Sequence, residues 1–481
     1  MEYLKEEEEA AEPVSPTGQY LNSEALSLCV LGVLESGVPI TTDDSQVESL
    51  VKDVFLPTNP RFSSIMVEDK NGEKLWKKVE VKIQDHIKIP IFPSGMSPET
   101  YDKYRDDYIS NIAMEKLPKT KPLWEIHIIK YPTSSNNAAG TVIFKLHHSI
   151  GDGFSLVGAL LSCLQRADNP SLPLTFPSAP LRLRRDSTNS NCTGCFKNVS
   201  KLLSVVSNTV SDFSSSVMKS SFLEDDRSPI RSGDSGIEFR PIATATTTFY
   251  LDQIKQIKTT VGATVNDVVA GIILLGTRLY MKEMRHDSTK TNSTVLVLFN
   301  TREFRSYVPV KDMVKSDAKT PWGNYFAFLH VPIPKLTDNG NSKLSNNYNP
   351  LEFVRKARKI INAKKSSLGA YFTGRLLQIL KKLRGPEAAA RYIHGTIEKS
   401  SMAITNMVGP VEQVALANHP VVGIYFVVAG APQSLSVTVI SYMRKLRVVV
   451  VAEKGFIDAH KLKSCIENAH QMISEAAFNN N

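Results

Sequence analysis

The chain has 481 residues, 42% of them hydrophobic and 8% aromatic, with a formal net charge of +9. This composition excludes a disordered or collagen-like polymer, and the length exceeds what one ordinary core holds, so two or three domains are expected. Five scattered cysteines, an odd number, argue for a reducing compartment rather than a disulfide scaffold.

In chain order, the first segment is acidic. Met1 to Glu12 carries six glutamates and one lysine, a charge of −5, so the rest of the chain holds about +14. Residues 1–16 are expected to be disordered. The N-terminus shows no basic region followed by an apolar core, so no secretory signal is expected. A strongly cationic body suits anionic partners such as a nucleotide-bearing cofactor or an anionic membrane face. Nucleic acid is not expected as a partner, because the basic residues are dispersed and no recognition motif accompanies them.

No apolar run reaches the length that spans a bilayer. Leu26 to Leu34 reads as a core strand, and Val47 to Phe55 is spaced as a helix that Asn59-Pro60 ends. The alternation from Val79 to Ile83 predicts a half-buried strand. A helix over Glu99 to Met114 leads to Pro122-Leu123-Trp124-Glu125 and a strand through Ile129. Together these elements belong to a first block, residues 17–168.

That block is organised around Thr141 to Leu164, TVIFKLHHSIGDGFSLVGALLSCL. A β-branched apolar run ends at Leu146, and from Phe154 the apolar spacing becomes helical. Between them lie His147, His148, Ser149, Ile150, Gly151, Asp152 and Gly153. The two glycines suggest a tight turn, one that a left-handed backbone would suit. Adjacent histidines point apart and no third ligand stands at a workable spacing, so no metal site is expected. An imidazole at a rigid strand end, with an aspartate four residues later to fix the loop, suits general-base chemistry near neutral pH.

Residues 169–236 change character. Within residues 169–190, four prolines and the Arg182, Arg184, Arg185 cluster mark a linker. Cys192-x-x-Cys195 lacks the second pair a zinc knuckle needs. From Phe196 to Met218, Val199, Leu202, Leu203, Val206, Val210, Phe213 and Val217 recur every three or four residues against a serine-rich face. This predicts an amphipathic helix that packs on the core or lies on a membrane.

The second block, residues 237–481, begins with helices over Asp252 to Thr260 and Thr264 to Met284. Asn266 and Asp267 stand at the start of the latter, where such side chains cap free N–H groups. Strands are predicted over Ser293 to Phe299, delivering Asn300 and Arg302, and over Asn324 to Val331. Leu351 to Lys399 reads as helix broken at Gly385-Pro386, with a basic amphipathic piece from Arg375 to Arg384. Strands follow over Met402 to Met407, Val421 to Val428, Leu435 to Tyr442 and Leu446 to Ala452, then a closing helix from Asp458 to about Ala476. Periodicity alone therefore gives two domains of mixed α and β.

The string HHSIGDG resembles the H-H-x-x-x-D-G signature of the CoA-dependent acyltransferase superfamily. Pro122-Leu123-Trp124 resembles an element of its wax ester synthase/diacylglycerol acyltransferase branch, plant members above all. Pro60-Arg61-Phe62, Asn266-Asp267-Val268-Val269, Asn300-Thr301-Arg302 and Thr405 to Pro410 fall in that branch's order. The Asp-Phe-Gly-Trp-Gly element of the BAHD branch is missing.

The resemblance implies an α+β chain of two chloramphenicol-acetyltransferase-like domains with an active-site channel between them. It implies transfer of a long acyl group from acyl-CoA, as co-substrate with no bound cofactor, to a fatty alcohol and in part to diacylglycerol. His148 is then the base, His147 shapes the loop beside Gly153, and Asp152 braces it against Arg302. Asn406 or Thr405 would stabilise the oxyanion, with Asn266, Asp267 and Trp124 near substrate. The expected setting is peripheral, on the cytosolic face of the endoplasmic reticulum, with the plasma membrane as the other site. The alternatives are a BAHD-like transferase of soluble phenolic or amine acceptors and a non-catalytic lipid-binding descendant.

Overall fold

A computed structural model describes residues 12–41, 44–70, 73–177, 193–285, 290–302, 308–315, 318–336 and 348–478. In the helix that begins at Thr193, side chains are described from residue 207. The acidic stretch before Glu12, the arginine cluster, Cys192 and the side chains of Cys195, Leu203 and Val206 lie outside the described residues.

The first half of the chain supplies β1 (Glu12–Pro13), β2 (Cys29–Ser36), β3 (Ser64–Glu68), β4 (Lys74–Lys78), β5 (Ile87–Lys88), β6 (Trp124–Ile129), β7 (Gly140–His147) and β8 (Leu164–Arg166). The second half supplies β9 (Ile242–Tyr250), β10 (Thr294–Asn300), β11 (Phe326–Pro332), β12 (Met402–Val408), β13 (Val414–Leu416), β14 (His419–Ala429), β15 (Leu435–Tyr442) and β16 (Lys445–Glu453). They form a seven-stranded sheet in the order β5-β6-β7-β2-β14-β13-β8, and a six-stranded sheet in the order β11-β10-β12-β15-β16-β9. A small sheet, β1-β4-β3, stands apart.

The helices of the first domain are α1 (Pro16–Tyr20), α2 (Asp44–Leu50), α3 (Pro98–Met114) and α4 (Gly153–Ser162). After α5 (Thr193–Ser221) come α6 (Leu251–Val261), α7 (Val265–Met284), α8 (Val310–Met313), α9 (Pro350–Ser366), α10 (Gly369–Arg384), α11 (Pro386–Glu398) and α12 (Ala459–Phe478).

In the first sheet β2 and β7 are central and wholly buried, paired antiparallel from Cys29 opposite His147 to Ser36 opposite Gly140. Burial on both faces explains why both sequences are nearly continuous apolar runs. In the second, α7 packs under the sheet against α9 and α12. A Cβ at Gly271 would stand 2.8 Å from the Val354 backbone, and one at Gly276 would stand 2.6 Å from that of Ile466, so only glycine lets these helices approach.

Several sequence readings change. Strands β13 and β14 come from the second block yet complete the first sheet, because β14 pairs with β2 along its length. A boundary drawn only at 168/237 therefore misses a segment that crosses back. Glu12 and Pro13 pair with β4, and α1 starts at Pro16, so chain order begins before residue 17. The strand expected over Val79 to Ile83 lies earlier, at β4, held by pairing with β3. The region from Leu351 to Lys399 breaks at Ser367 as well as at Gly385, whose φ is +78°.

The two sheets are tied by a buried ion pair. Arg447 of β16 reaches Glu35 of β2 at 2.5 and 3.0 Å, and its guanidinium lies 4.6 Å from the Tyr425 ring centre. Glu35 is wholly buried. Among the described residues no single helix is long and apolar enough to cross a membrane.

Candidate active site

The loop between β7 and α4 sits where the domains meet. Rigid β7 delivers His147 as its last residue, and Asp152 is the N-cap of α4, its Oδ1 accepting from the Ser155 N–H at 3.0 Å. Such a cap satisfies one of the free donors at a helix start. Neither Gly151 nor Gly153 has a positive φ, contrary to the left-handed turn expected. Gly151 is needed for space instead: a Cβ there would stand 2.9 Å from that of Ser155 and 3.4 Å from the Trp322 ring.

His148 is buried, and its main-chain N–H donates to the Leu28 carbonyl at 2.8 Å. Asn324, just before β11, grips it twice. The Asn324 amide N–H donates to the His148 carbonyl at 2.9 Å, which turns Oδ1 toward the imidazole, where it lies 3.0 Å from Nδ1. An amide oxygen only accepts, so Nδ1 carries the proton and Nε2 keeps its lone pair. Phe326 closes one side of the ring edge-on, with centroids 5.4 Å apart. Burial holds the His148 pKa below its usual 6.5 against the opposing pull of Asp152 and Asn324.

His147 is held differently. Its Nδ1 accepts from the Ser149 N–H at 3.2 Å, so Nε2 donates to Ser27 Oγ at 3.0 Å. Burial, helped by His148, pushes its pKa down to about 3. Both ring nitrogens are spent within the fold, which fits a loop-shaping role.

Asp152 faces away from the histidines. Its Oδ2 takes the Arg302 Nη1–H at 2.6 Å and the Tyr325 N–H at 2.8 Å. Arg302 also donates to the carbonyls of Pro321 and Gly323, at 2.9 and 2.7 Å, and to Ser155 Oγ at 3.1 Å. Its guanidinium lies 4.6 Å from the Tyr325 ring centre. The Ile150 carbonyl accepts from Trp322 Nε1 at 2.8 Å and from Arg61 Nη1 at 3.0 Å. Through Asp152, Ile150 and Ser155 this clasp joins the histidine loop and the start of α4 to distant segments of chain.

The arrangement orients a buried, neutral imidazole so that one nitrogen can take a proton from a hydroxyl, which is the requirement for acyl transfer to oxygen. Residues 57–269 match the wax ester synthase/diacylglycerol acyltransferase catalytic domain, and residues 322–474 match the WS/DGAT C-terminal domain. The chain belongs to the wax ester synthase/diacylglycerol acyltransferase family. Its reaction class is acyl transfer from acyl-CoA to oxygen.

Within that family the chain is 29% identical to wax ester synthase/diacylglycerol acyltransferase 4 of Arabidopsis thaliana, covering 98% of this chain and 91% of that one. It is also 29% identical to number 5 of the same plant, covering 95% and 92%. The wax ester synthase/diacylglycerol acyltransferase from Marinobacter aquaeolei VT8 shares the fold at a TM-score of 0.56 and 15% identity, covering 97% of this chain and 100% of that one. The starter condensation domain of rhizomide synthetase, solved with C8-CoA and Leu-SNAC, gives 0.53 at 10% identity, covering 97% and 94%. These likenesses fit the two-domain chloramphenicol-acetyltransferase-like architecture expected.

The remaining candidates of this family member are spread more widely. Trp124 is wholly buried, with its indole N–H donating to the Phe62 carbonyl at 2.8 Å and its face stacked on His86 at 4.1 Å. It anchors the core and has no face left for substrate. Asp267 closes a capping box with Thr264 at the start of α7, so Thr264 is the cap, while Asn266 accepts from the Asn406 amide at 2.8 Å.

Thr405 and Asn406 lie near the end of β12, and Met407 beside them approaches Gly153: a Cβ on that glycine would stand 3.4 Å from its sulfur. Sequence reasoning missed Asn324, Tyr325 and Trp322. The signal was local and brief, Pro321-Trp322-Gly323-Asn324 ahead of an apolar strand, with Gly323 at φ +138°.

Proposed function

We propose that the chain transfers a long acyl group from acyl-CoA to a fatty alcohol, and also to diacylglycerol, with His148 as general base. The observation that carries this reading is the double grip of Asn324 on His148, which leaves Nε2 as the basic nitrogen. The acceptor hydroxyl gives its proton to Nε2 as its oxygen attacks the thioester carbonyl. The tetrahedral intermediate then collapses, the C–S bond breaks, and the imidazolium returns the proton to the CoA sulfur. A positioned base contributes about 10² to 10⁴-fold to such a step. Thr405 and Asn406, beside the Met407 that packs on the loop, are the candidates for hydrogen-bonding the oxyanion. Acyl-CoA enters as co-substrate, and the chemistry asks for no resident cofactor.

Long-chain acceptors dissolve in bilayers, so the enzyme must meet a membrane. The face that supports this is α10, where Phe372, Ile379 and Leu383, with Leu368 at the N-cap, are exposed in a stripe along one side, Leu383 at 75%. Arg375, Lys381, Lys382 and Arg384 stand beside them. Apolar side chains flanked by cations suit peripheral attachment to an anionic leaflet, here assigned to the cytosolic face of the endoplasmic reticulum.

Incubation of purified protein with labelled palmitoyl-CoA and a panel of acceptors tests the reaction. Wax ester from hexadecanol is the expected product. Acylation of a soluble phenol or amine alone would favour the BAHD-like alternative, and no product with any acceptor would favour a lipid-binding descendant. Alkaline carbonate is expected to release the protein from microsomes, and retention in the pellet would overturn peripheral attachment.

A further inference from the structure

A cavity of about 350 Å³ lies at the far end of the second sheet from His148, where β10 begins and β11 ends. The seven residues of β10 separate it from the catalytic loop by about 20 Å. Lys219, Arg278, Lys335 and Lys399 line it. Two carboxylates also line it and offset part of that charge, each also bonded to other groups. Asp225 accepts from the backbone and hydroxyl groups of Thr294 and Ser401, and Glu224 pairs with Arg231 at 3.3 Å.

Two of the lysines are held by neutral acceptors. Lys219 donates to Thr294 Oγ1, Lys399 donates to the Ser220 carbonyl, and Arg278 donates to the carbonyls of Thr291, Ile333 and Pro334. Lys335 makes no ion pair among the described residues. Burial pushes the Arg278 pKa down to about 10 and that of Lys219 below its usual value, with the Asp225 carboxylate pulling both the other way. Ser293 supplies the second observation. It is 3% exposed and lines the cavity, and its hydroxyl has no hydrogen-bond partner. A buried unpartnered hydroxyl beside four cations calls for an oxyanion.

The cavity also has a setting. Val210 and Met218 on α5 are 61% and 43% exposed, and just past the helix Phe222 and Leu223, the latter on the cavity wall, are 74% and 52% exposed. We propose that this cavity binds a phosphate monoester, presented by a lipid headgroup such as that of phosphatidic acid or by a soluble metabolite. The lipid source rests on the membrane attachment argued above, whereas the soluble source does not.

The test uses the full chain in two arms. Flotation compares vesicles of phosphatidylcholine with phosphatidic acid against vesicles charge-matched with phosphatidylserine, and thermal melts are read with and without glycerol 3-phosphate. Wild type is expected to prefer phosphatidic acid. Lys335→Ala and Lys399→Ala should each weaken binding about five-fold, the effect of one cation near an anionic surface. Ser293→Ala should weaken it about as much without lowering the melting temperature of the free protein, since it removes a group with no partner to lose. A melting shift with glycerol 3-phosphate that Ser293→Ala abolishes, together with no preference among vesicles, assigns the soluble source. If neither probe separates wild type from the three variants, the site does not exist, whatever vesicles do at α10.

Discussion

The histidine loop and the α5–α10 pair treat exposure in opposite ways. In the loop, polar side chains are buried and bonded to distant strands, as with Asp152 between Arg302, Tyr325 and Ser155. Along α10, large apolar side chains such as Leu383 and Ile379 stand in solvent. The first arrangement spends interactions on position, since a base must be held within a fraction of an ångström. The second withholds them, leaving a surface that gains only when something covers it. Substitutions in the loop should therefore change turnover or folding, and substitutions on the helices should change location alone.

The largest effect is expected at His148. His148→Ala should lower kcat by about 10² to 10⁴-fold, while stability falls by no more than about 1–3 kcal/mol, the cost of leaving Asn324 without its partner. Turnover retained in His148→Ala but lost in His147→Ala would mean the wrong histidine carries the proton. The acidic limb of the wild-type rate profile should lie below pH 6.5. Burial lowers the His148 pKa, so the ring stays unprotonated as pH falls through the ordinary histidine range.

Asp152→Ala comes next and should act on the fold. It strands the Arg302 guanidinium in a buried site, a change that costs about 3–5 kcal/mol when one partner of a buried pair is removed. Denaturant unfolding should show a lower midpoint, with turnover falling alongside it. Abolished activity with an unchanged midpoint would instead make Asp152 a direct participant.

How far the sequence reveals this clasp depends on how far apart its members are. The change from an apolar run to helical spacing at Phe154 marks β7 and α4 because both periods are local. The Asp152–Arg302 pairing came through the family resemblance, since the two lie 150 residues apart. Asn324 left no comparable trace, for one asparagine before a strand looks like a turn residue until the fold turns it toward His148. Nor does any pattern in His419 to Ala429 say that β14 pairs with β2 instead of joining its neighbours in sequence. Trp124, expected near substrate, is instead a buried anchor, because apolar runs do not reveal which indole N–H finds a carbonyl.

On the helices the expected effect is on partitioning. Ile379→Glu with Leu383→Glu removes two apolar side chains, each contributing about 1.5–3 kcal/mol if buried in the interface. Binding to anionic vesicles should fall at least ten-fold. Melting temperature and turnover on detergent-dispersed substrate should hold, because exposed positions without partners rarely change stability by more than about 0.5 kcal/mol. A marked loss of stability would mean that α10 packs on the protein itself, and the comparison with the loop would fail.

The smallest effect separates two roles for Asn406. Its amide donates to Asn266 at 2.8 Å in an exposed setting, so in the free enzyme one donor is already committed between β12 and the start of α7. If that bond is only a surface tie, Asn406→Ala should cost about 0.5–1.5 kcal/mol of stability, the net worth of one hydrogen bond, and less than ten-fold in turnover. An oxyanion donor behaves otherwise, because removing one costs about 10² to 10³-fold in kcat with little change in stability. Asn266→Ala sharpens the distinction, since it frees the Asn406 amide without removing it. A surface tie predicts that both variants behave alike. Loss of turnover in Asn406→Ala with wild-type turnover in Asn266→Ala would assign the oxyanion to Asn406 and extend the clasped, position-first side of the molecule across β12. Similar small effects in both would leave Thr405 as the candidate donor on that strand.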